Sequence, residues 1–356
     1  MSGGRTHLAA ALRWTGSADG PGRAAVLGAM LGTGGPAALA AVAGDLGPGM
    51  AAALGGLMIG GVPVGDGAAA QVRAILGRLV PAVAATITVA VLARDGGWAD
   101  AVLVALAGGA ALVGGISRPL AAATTRFVLF LIIAAALPGT DPGRSGVTLL
   151  ILAGAVWASV VALVVGVVSR SLSARSTDGG PEPAAIRPSR WQLLRRWLHT
   201  LRHPGGWQYA LRLAGCLAAA GLLDRLWPGH HLSWIGLTVA LLIERPVERY
   251  PVRLTQRALG TALGVVAAGA WLLWHPPGWA VVAGVVLLAG IRPWASAGNY
   301  LLYSAAMTPL VIAILDAGGP TAPGVLVDRM LATLAGTALV LAANRLALRY
   351  LPTLGT

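Results

Sequence analysis

Apolar residues along this chain fall in long runs, with no strand-like alternation. Stretches long enough to cross a bilayer core, or nearly so, lie at about 24–44, 48–64, 74–93, 98–116, 120–138 and 146–169. After a polar stretch the runs resume at about 207–226, 231–246, 257–274, 278–291, 297–315 and 325–347. The pattern predicts an all-α fold, a polytopic transmembrane helical bundle of about 12 segments in two six-helix sets. Residues 1–23 then form a cytoplasmic N-terminal segment, 24–170 a first membrane unit, 171–206 a cytoplasmic linker, 207–348 a second membrane unit and 349–356 a cytoplasmic tail.

Composition agrees with a bilayer as solvent. The 356 residues are 56% hydrophobic and 11% charged, with a mean hydropathy of +0.74, whereas soluble domains carry roughly 25% charged residues. Fifty glycines and 12 tryptophans suit helices that pack backbone to backbone and anchor at interfaces. Charge then orients the bundle. The net charge of +13 comes entirely from arginine, since the chain has no lysine. Arg94, Arg144, Arg225 and Arg329 fall on one side, among Asp45, Asp95, Asp100, Asp141, Asp224, Asp316 and Asp328; the other 22 of the 26 basic residues fall on the opposite side or in the termini and linker. That bias predicts cytoplasmic termini. The same distribution excludes nucleic-acid binding, because the basic residues sit in short loops between apolar runs. Cys216 is the one cysteine and lies in an apolar run, which excludes disulfides within the chain. Met1 to Arg23 has no signal-peptide apolar core, so no cleavable leader is expected.

The two halves echo each other. Arg73-Ala-Ile-Leu-Gly pairs with Arg257-Ala-Leu-Gly, Gly97-Trp98-Ala99 with Gly278-Trp279-Ala280, and Gly115-Ile116-Ser117-Arg118-Pro119 with Gly290-Ile291-Arg292-Pro293, in the same order. An even number of segments per half makes such repeats parallel in topology. In the linker, Ser189 with Gln192 reads as a capping box. Trp191, Leu194, Trp197, Leu198 and Leu201 recur at helical spacing opposite Arg190, Arg195, Arg196 and Arg202, which predicts an amphipathic helix on the inner leaflet.

No enzyme signature is present: Gly32 to Gly35 lack a following Gly-Lys-Ser/Thr, and there is no Gly-x-Ser-x-Gly elbow. His199 and His203 have i, i+4 spacing without an accompanying carboxylate, so no metal site and no cofactor are expected. His230 and His231 read as interfacial residues. The second segment of each half is more informative. Met50 to Val62 and Leu232 to Ile243 are short and end at Pro63 and Pro246, and the first contains Gly55, Gly56, Gly60 and Gly61. Interrupted segments at matching positions of two repeats mark a transporter's central site, although short tilted helices would look the same. Ionisable residues near membrane depth are Arg126, Arg212, Glu244, Arg245 and Arg257. They could attract an organic carboxylate; alternatively Arg212 pairs with Glu244 while Arg245, Arg249 and Arg253 anchor at headgroups. The GxxxG steps at Gly28, Gly56 and Gly260 read as packing seams.

Several motifs of the second half carry a resemblance. They are Ala210-Leu211-Arg212-Leu213, His231-Leu232-Ser233-Trp234-Ile235-Gly236-Leu237-Thr238, Arg245-Pro246, Gln256-Arg257-Ala258-Leu259-Gly260-Thr261-Ala262-Leu263-Gly264, Asn299-Tyr300, Thr308-Pro309 and Arg329-Met330-Leu331-Ala332-Thr333-Leu334-Ala335-Gly336. In order and spacing this stretch resembles the fusaric acid resistance (FUSC) or aromatic acid exporter family. The first half lacks the Trp-x-x-x-Thr and Arg-x-x-Gly-Thr patterns in full. The resemblance implies a bacterial inner-membrane, dimeric efflux protein of two six-helix units, taking aromatic carboxylic acids and driven by the proton motive force.

The expected function is therefore secondary efflux of a small aromatic or other organic acid. Arg212, Arg245 and Arg257 would recruit the anion, and Trp234 would offer an aromatic surface. Thr238, Thr261, Asn299, Tyr300 and Thr308 complete the expected pathway, and Glu244 or Asp224 would carry a coupling proton. A passive organic-anion channel and a non-transporting membrane scaffold are the alternatives.

Overall fold

The computed structural model describes residues 21–63, 65, 67–92, 98–136, 144–173, 189–227, 232–245, 252–316 and 323–350. Within these the chain is all helical, with thirteen helices and no strand. They are α1 (Arg23–Ala43), α2 (Leu46–Ile59), α3 (Ala68–Leu92), α4 (Ala99–Val113), α5 (Arg118–Ala136), α6 (Arg144–Ser173), α7 (Arg190–Leu201), α8 (Pro204–Leu226), α9 (Trp234–Leu242), α10 (Val252–Leu272), α11 (Gly278–Gly298), α12 (Tyr300–Asp316) and α13 (Pro323–Tyr350).

Each of the twelve apolar runs forms a helix, but only six of the described helices are long and apolar enough to cross a membrane: Arg23–Ala43, Ala68–Leu92, Arg118–Ala136, Gly146–Leu172, Gly278–Gly298 and Leu326–Tyr350. By length and composition alone, six of the twelve expected segments are candidate spans. The protein is a multi-pass membrane protein. Its lipid-facing character is visible on α6, where Leu149, Val156, Val160, Val164 and Val167 are exposed at helical spacing. A soluble protein does not present such a stripe to water.

Local chemistry accounts for the breaks. Gly44 ends α1 in the left-handed region at φ 84°, where a glycine carries no Cβ penalty. One residue later Asp45 caps α2, its side chain accepting from the Gly47 amide at 3.1 Å. The chain therefore reverses within two residues. Pro204 opens α8 at its first turn, where a missing amide costs nothing. In α7 the capping box is present in both directions: the Gln192 amide donates to Ser189 Oγ at 3.2 Å, and the Ser189 amide donates to Gln192 Oε1 at 2.9 Å. No α7 residue is buried, and Trp197 Nε1 ties the helix to the end of α4 through the Leu112 carbonyl at 2.9 Å. The Gly- and Pro-rich start of the linker, Arg249, His230 and His231 lie outside the described residues.

Two hydrophobic clusters form the interior, and neither coincides with one half of the sequence. The first joins α1, α2, α3, α5 and α6 to Val282 and Val285 of α11 and Leu310, Ala313 and Ile314 of α12. The second joins α8, α9 and α13 to Ala107 and Ala111 of α4 and Val128 of α5. The fourth and fifth helices of each half thus pack on the other half. Contacts between the helices are close enough to require glycine. A Cβ at Gly55 would collide with the Ile151 carbonyl on α6, and one at Gly154 would collide with the Ala52 carbonyl on α2. The step at Gly260 and Gly264 is likewise a seam, lying against Leu301, Ser304, Ala305 and Thr308 of α12.

This mutual glycine contact generates a prediction. Gly154→Leu must separate α2 from α6, and overpacking of this kind costs about 1–3 kcal/mol or more. Gly109→Leu, whose Cβ would meet nothing within 4 Å, is the control. Thermal melting of detergent-purified protein should show a lower Tm for Gly154→Leu and little change for Gly109→Leu; equal stabilities would contradict the packing described.

Candidate functional site

The site begins with two helices that stop short. Helix α2 ends at Ile59, followed by Gly60, Gly61 at φ 75° and Pro63. Its last turn leaves carbonyl oxygens without helical partners. Arginines from two neighbouring helices supply the donors. Arg78 Nη1, from α3, donates to the Ile59 carbonyl at 3.1 Å and the Gly60 carbonyl at 3.0 Å. Arg292, from α11, donates to the carbonyls of Leu57 and Gly60. The guanidinium comes so near that a Cβ on Gly60 would lie 3.2 Å from Arg292 Nη2.

Helix α9 has only nine residues and ends at Leu242. Arg212 Nη2, from α8, donates to the Glu244 and Arg245 carbonyls just beyond it, at 2.8 and 3.0 Å, while Arg212 Nη1 donates to Asn344 Oδ1 at 2.6 Å. Tyr300 Oη reaches the Leu241 carbonyl at 3.4 Å. Cations at helix C-termini also complement the negative end of the helix dipole.

Between these two ends lies a cavity of about 250 Å³. Five arginines line it: Arg78, Arg126, Arg257, Arg292 and Arg329. No Asp, Glu or His is among the described lining residues, and the rest of the wall is apolar or aromatic, including Leu54, Phe130, Trp234, Tyr303 and Met307. Arg126 Nη1 donates to the Gly77 carbonyl at 2.8 Å. Arg257 is only 4% exposed, and its Nε has no hydrogen-bond partner. Arg329 lies over the Trp234 ring at 3.5 Å from its centroid, a cation–π contact.

The chamber adjoins a second cavity. A wider cavity of about 1010 Å³ shares Gly60, Arg78, Leu241, Arg292 and Tyr303 with it, and extends to Gly22, Arg23, Ser169, Arg253 and Tyr300. Trp234 and Arg329 stand near the first turns of α9 and α13, at the opposite end from Gly60 and Leu241. The wider cavity is a vestibule beside Arg78 and Arg292, and the Trp234–Arg329 stack stands at the other end of the chamber. A separate groove of about 700 Å³, holding Trp98, Asp100, Asp224 and Arg225, touches the chamber wall only at Ala136.

Three of the residues expected from sequence, Trp234, Arg257 and Thr308, line the chamber, and Tyr300 lines the vestibule. The others have different surroundings. Arg212 is buried against carbonyls, and its contact with Glu244 is to the backbone oxygen, while the Glu244 carboxylate pairs with Arg253. Arg245 stacks on Tyr209 at 4.7 Å and donates to the Ala111 carbonyl at 3.1 Å. Thr238 packs against Gly336, Thr261 Oγ1 lies 3.3 Å from Ser304 Oγ, and Asn299 Oδ1 accepts from the Leu301 amide at 2.8 Å. Asp224 lies in the separate groove.

Arg78, Arg292, Arg329 and Tyr303 were not among the expected site residues. Arg78, Arg126 and Arg329 all lie inside helices. The available signal was their position within apolar runs, where a charge is costly and marks a pathway. His199 and His203 have ring centroids 5.2 Å apart, and no group of three potential metal ligands occurs among the described residues.

A multi-pass helical membrane protein with a cationic chamber between its helices is transporter-like in class. Residues 213–343 match the family described as fusaric acid resistance protein-like. The match supplies Trp234, Arg257, Arg292 and Arg329, while Arg78 and Arg126 come from outside it. No curated protein and no solved structure matches the chain.

The geometry assigns Arg212 a load that stability measurements can read. Arg212→Ala strips the donors from two carbonyls in a dry setting, each lost partner costing about 1–3 kcal/mol. The variant should show a clearly lower Tm in detergent, with Arg212→Lys recovering part of it. An unchanged Tm with loss of transport alone would instead place Arg212 in the pathway.

Proposed function

We propose that the protein is a secondary transporter that exports small organic anions, aromatic carboxylates foremost, across the bacterial plasma membrane, with its vestibule toward the cytoplasm. The observation that carries this reading is the chamber itself, where five arginines from both halves of the chain converge beside Trp234, Tyr303 and Phe130. Guanidinium groups recognise carboxylates through paired planar donors, and aromatic walls suit a ring. A volume of about 250 Å³ lies under the roughly 300–1,000 Å³ of drug-sized pockets, so the cargo is small.

Symmetry supports a transporter with a central site. The bundle reads as two parallel six-helix repeats, α1–α6 and α8–α13. Exchanging the two sets turns each helix contact into another: α2–α6 into α9–α13, α3–α5 into α10–α12, α1–α11 into α8–α4, and α5–α9 into α12–α2. Much of the chamber wall follows the same exchange, with α2, α3 and α5 opposite α9, α10 and α12, while Arg292 of α11 and Arg329 of α13 line it from the second set alone. Substrate sites of repeat transporters lie at such an interface. Orientation is supported by Arg23 and Arg253 at the vestibule and by Asp100 and Asp224 in the groove beyond the closed end. The Trp234–Arg329 stack at the chamber end away from the vestibule supports alternating access over a continuously open channel.

Arg257→Gln tests the reading. A hydrogen bond to a charged group is worth about 1.5–3 kcal/mol, so export of the cargo should fall about tenfold or more. Cells lacking the gene should accumulate radiolabelled benzoate or another acid from a broad aromatic panel. Wild-type protein should restore export, and Arg257→Gln should not, at equal membrane abundance. Accumulation that is the same in all three strains across the panel would refute it.

A further inference from the structure

The charge of the chamber constrains how it can turn over. Arg78, Arg126, Arg257 and Arg292 enter it from four different helices. Among the described residues none of the four pairs with a carboxylate. Arg78, Arg126 and Arg292 donate to neutral backbone carbonyls, which satisfies their donors and leaves their charge. Arg257, buried, keeps an unpartnered Nε. Guanidinium does not lose its proton in a protein, so these charges are permanent.

The described carboxylates lie elsewhere. Glu244 is paired with Arg253, Asp224 lies in the separate groove with Asp100 and Arg225, and Asp328 is buried on α13 outside the chamber lining. Tyr303 is the only ionisable group besides arginine in the described lining. The described lining therefore offers no carboxylate or imidazole to carry a coupling proton.

An empty chamber that closes to both faces would strand these cations out of water. The cost of an uncompensated ion there is large enough to slow the crossing by orders of magnitude. An anion inside removes that barrier, whichever anion it is.

We propose that the chamber crosses between its two faces only when an anion occupies it, so the protein is an anion exchanger. A small inorganic anion of the chloride class binds at Arg78, Arg257 and Arg292 and enters as the organic anion leaves. One anion moves out and one moves in, with no proton transferred and no net charge moved when the two have equal charge. This inference rests on the transport reading above and names its counter-substrate.

Full-length protein in liposomes loaded with radiolabelled chloride separates the two claims. The external medium contains chloride, gluconate, or benzenesulfonate, which remains anionic and does not leak as a neutral acid. The membrane potential is clamped with potassium and valinomycin, and a protonophore is present. Labelled chloride should leave at least about tenfold faster into chloride or benzenesulfonate than into gluconate, a difference of about 1.4 kcal/mol in barrier. Arg257→Gln, reconstituted to the same density and with an unchanged Tm, should lose the acceleration. Equal loss into gluconate would show uniport and overturn exchange. Benzenesulfonate entry with chloride retained would overturn exchange and leave organic-anion transport standing. No movement of either anion would overturn both.

Discussion

Backbone carbonyls at the ends of α2 and α9 must find donors where water is scarce, and the rest of the site follows from that demand. A helix that ends inside a bilayer-spanning bundle exposes polar groups whose desolvation costs several kcal/mol each if nothing meets them. Arg78 and Arg292 meet the end of α2, and Arg212 and Tyr300 meet the end of α9. Long cationic side chains do this well because one guanidinium serves two oxygens. The glycines at 60 and 61 leave room for it, so the break, the glycines and the arginines form one device.

That device has an electrostatic consequence. Carbonyls satisfy the hydrogen-bonding demand of an arginine without cancelling its charge, so capping the broken helices gathers cations around one small space. Arg126 and Arg257 add to it from α5 and α10. The accumulated charge would oppose folding of an isolated bundle, and it is tolerable where water and anions can enter from the vestibule. The features that hold the short helices also create the cationic chamber. At the far end Arg329 stacks on Trp234, a contact that contributes cation–π attraction.

Much of the architecture could be read from the residues. Long apolar runs located the helices, since a spanning segment must be apolar along its length, and the capping box at Ser189 and Gln192 placed the start of α7 to the residue. The short second segments pointed to the place where the chamber lies. Three expected residues, Trp234, Arg257 and Thr308, line it. Arg78, Arg292 and Arg329 were harder to see because each sits near the boundary of an apolar run, where positive-inside reasoning assigns arginine to a loop. Burial of such a residue depends on neighbours far along the chain: Arg292 reaches the end of α2 across 232 positions to Gly60. Arg212 shows the converse. Its place in a recognisable motif marked it as important, but only the fold distinguishes a side chain that holds carbonyls from one that faces cargo.

The central claim is that the arginine chamber is an anion site reached from the vestibule. Crystals of the full-length protein grown in bromide, measured at the bromine absorption edge, test it most directly. An anomalous peak should lie in the chamber in contact with the guanidinium groups of Arg257, Arg78 and Arg292, and should disappear in Arg257→Gln. Bromide confined to the protein surface, with the chamber filled by side chains or its arginines paired with carboxylates, would contradict the account.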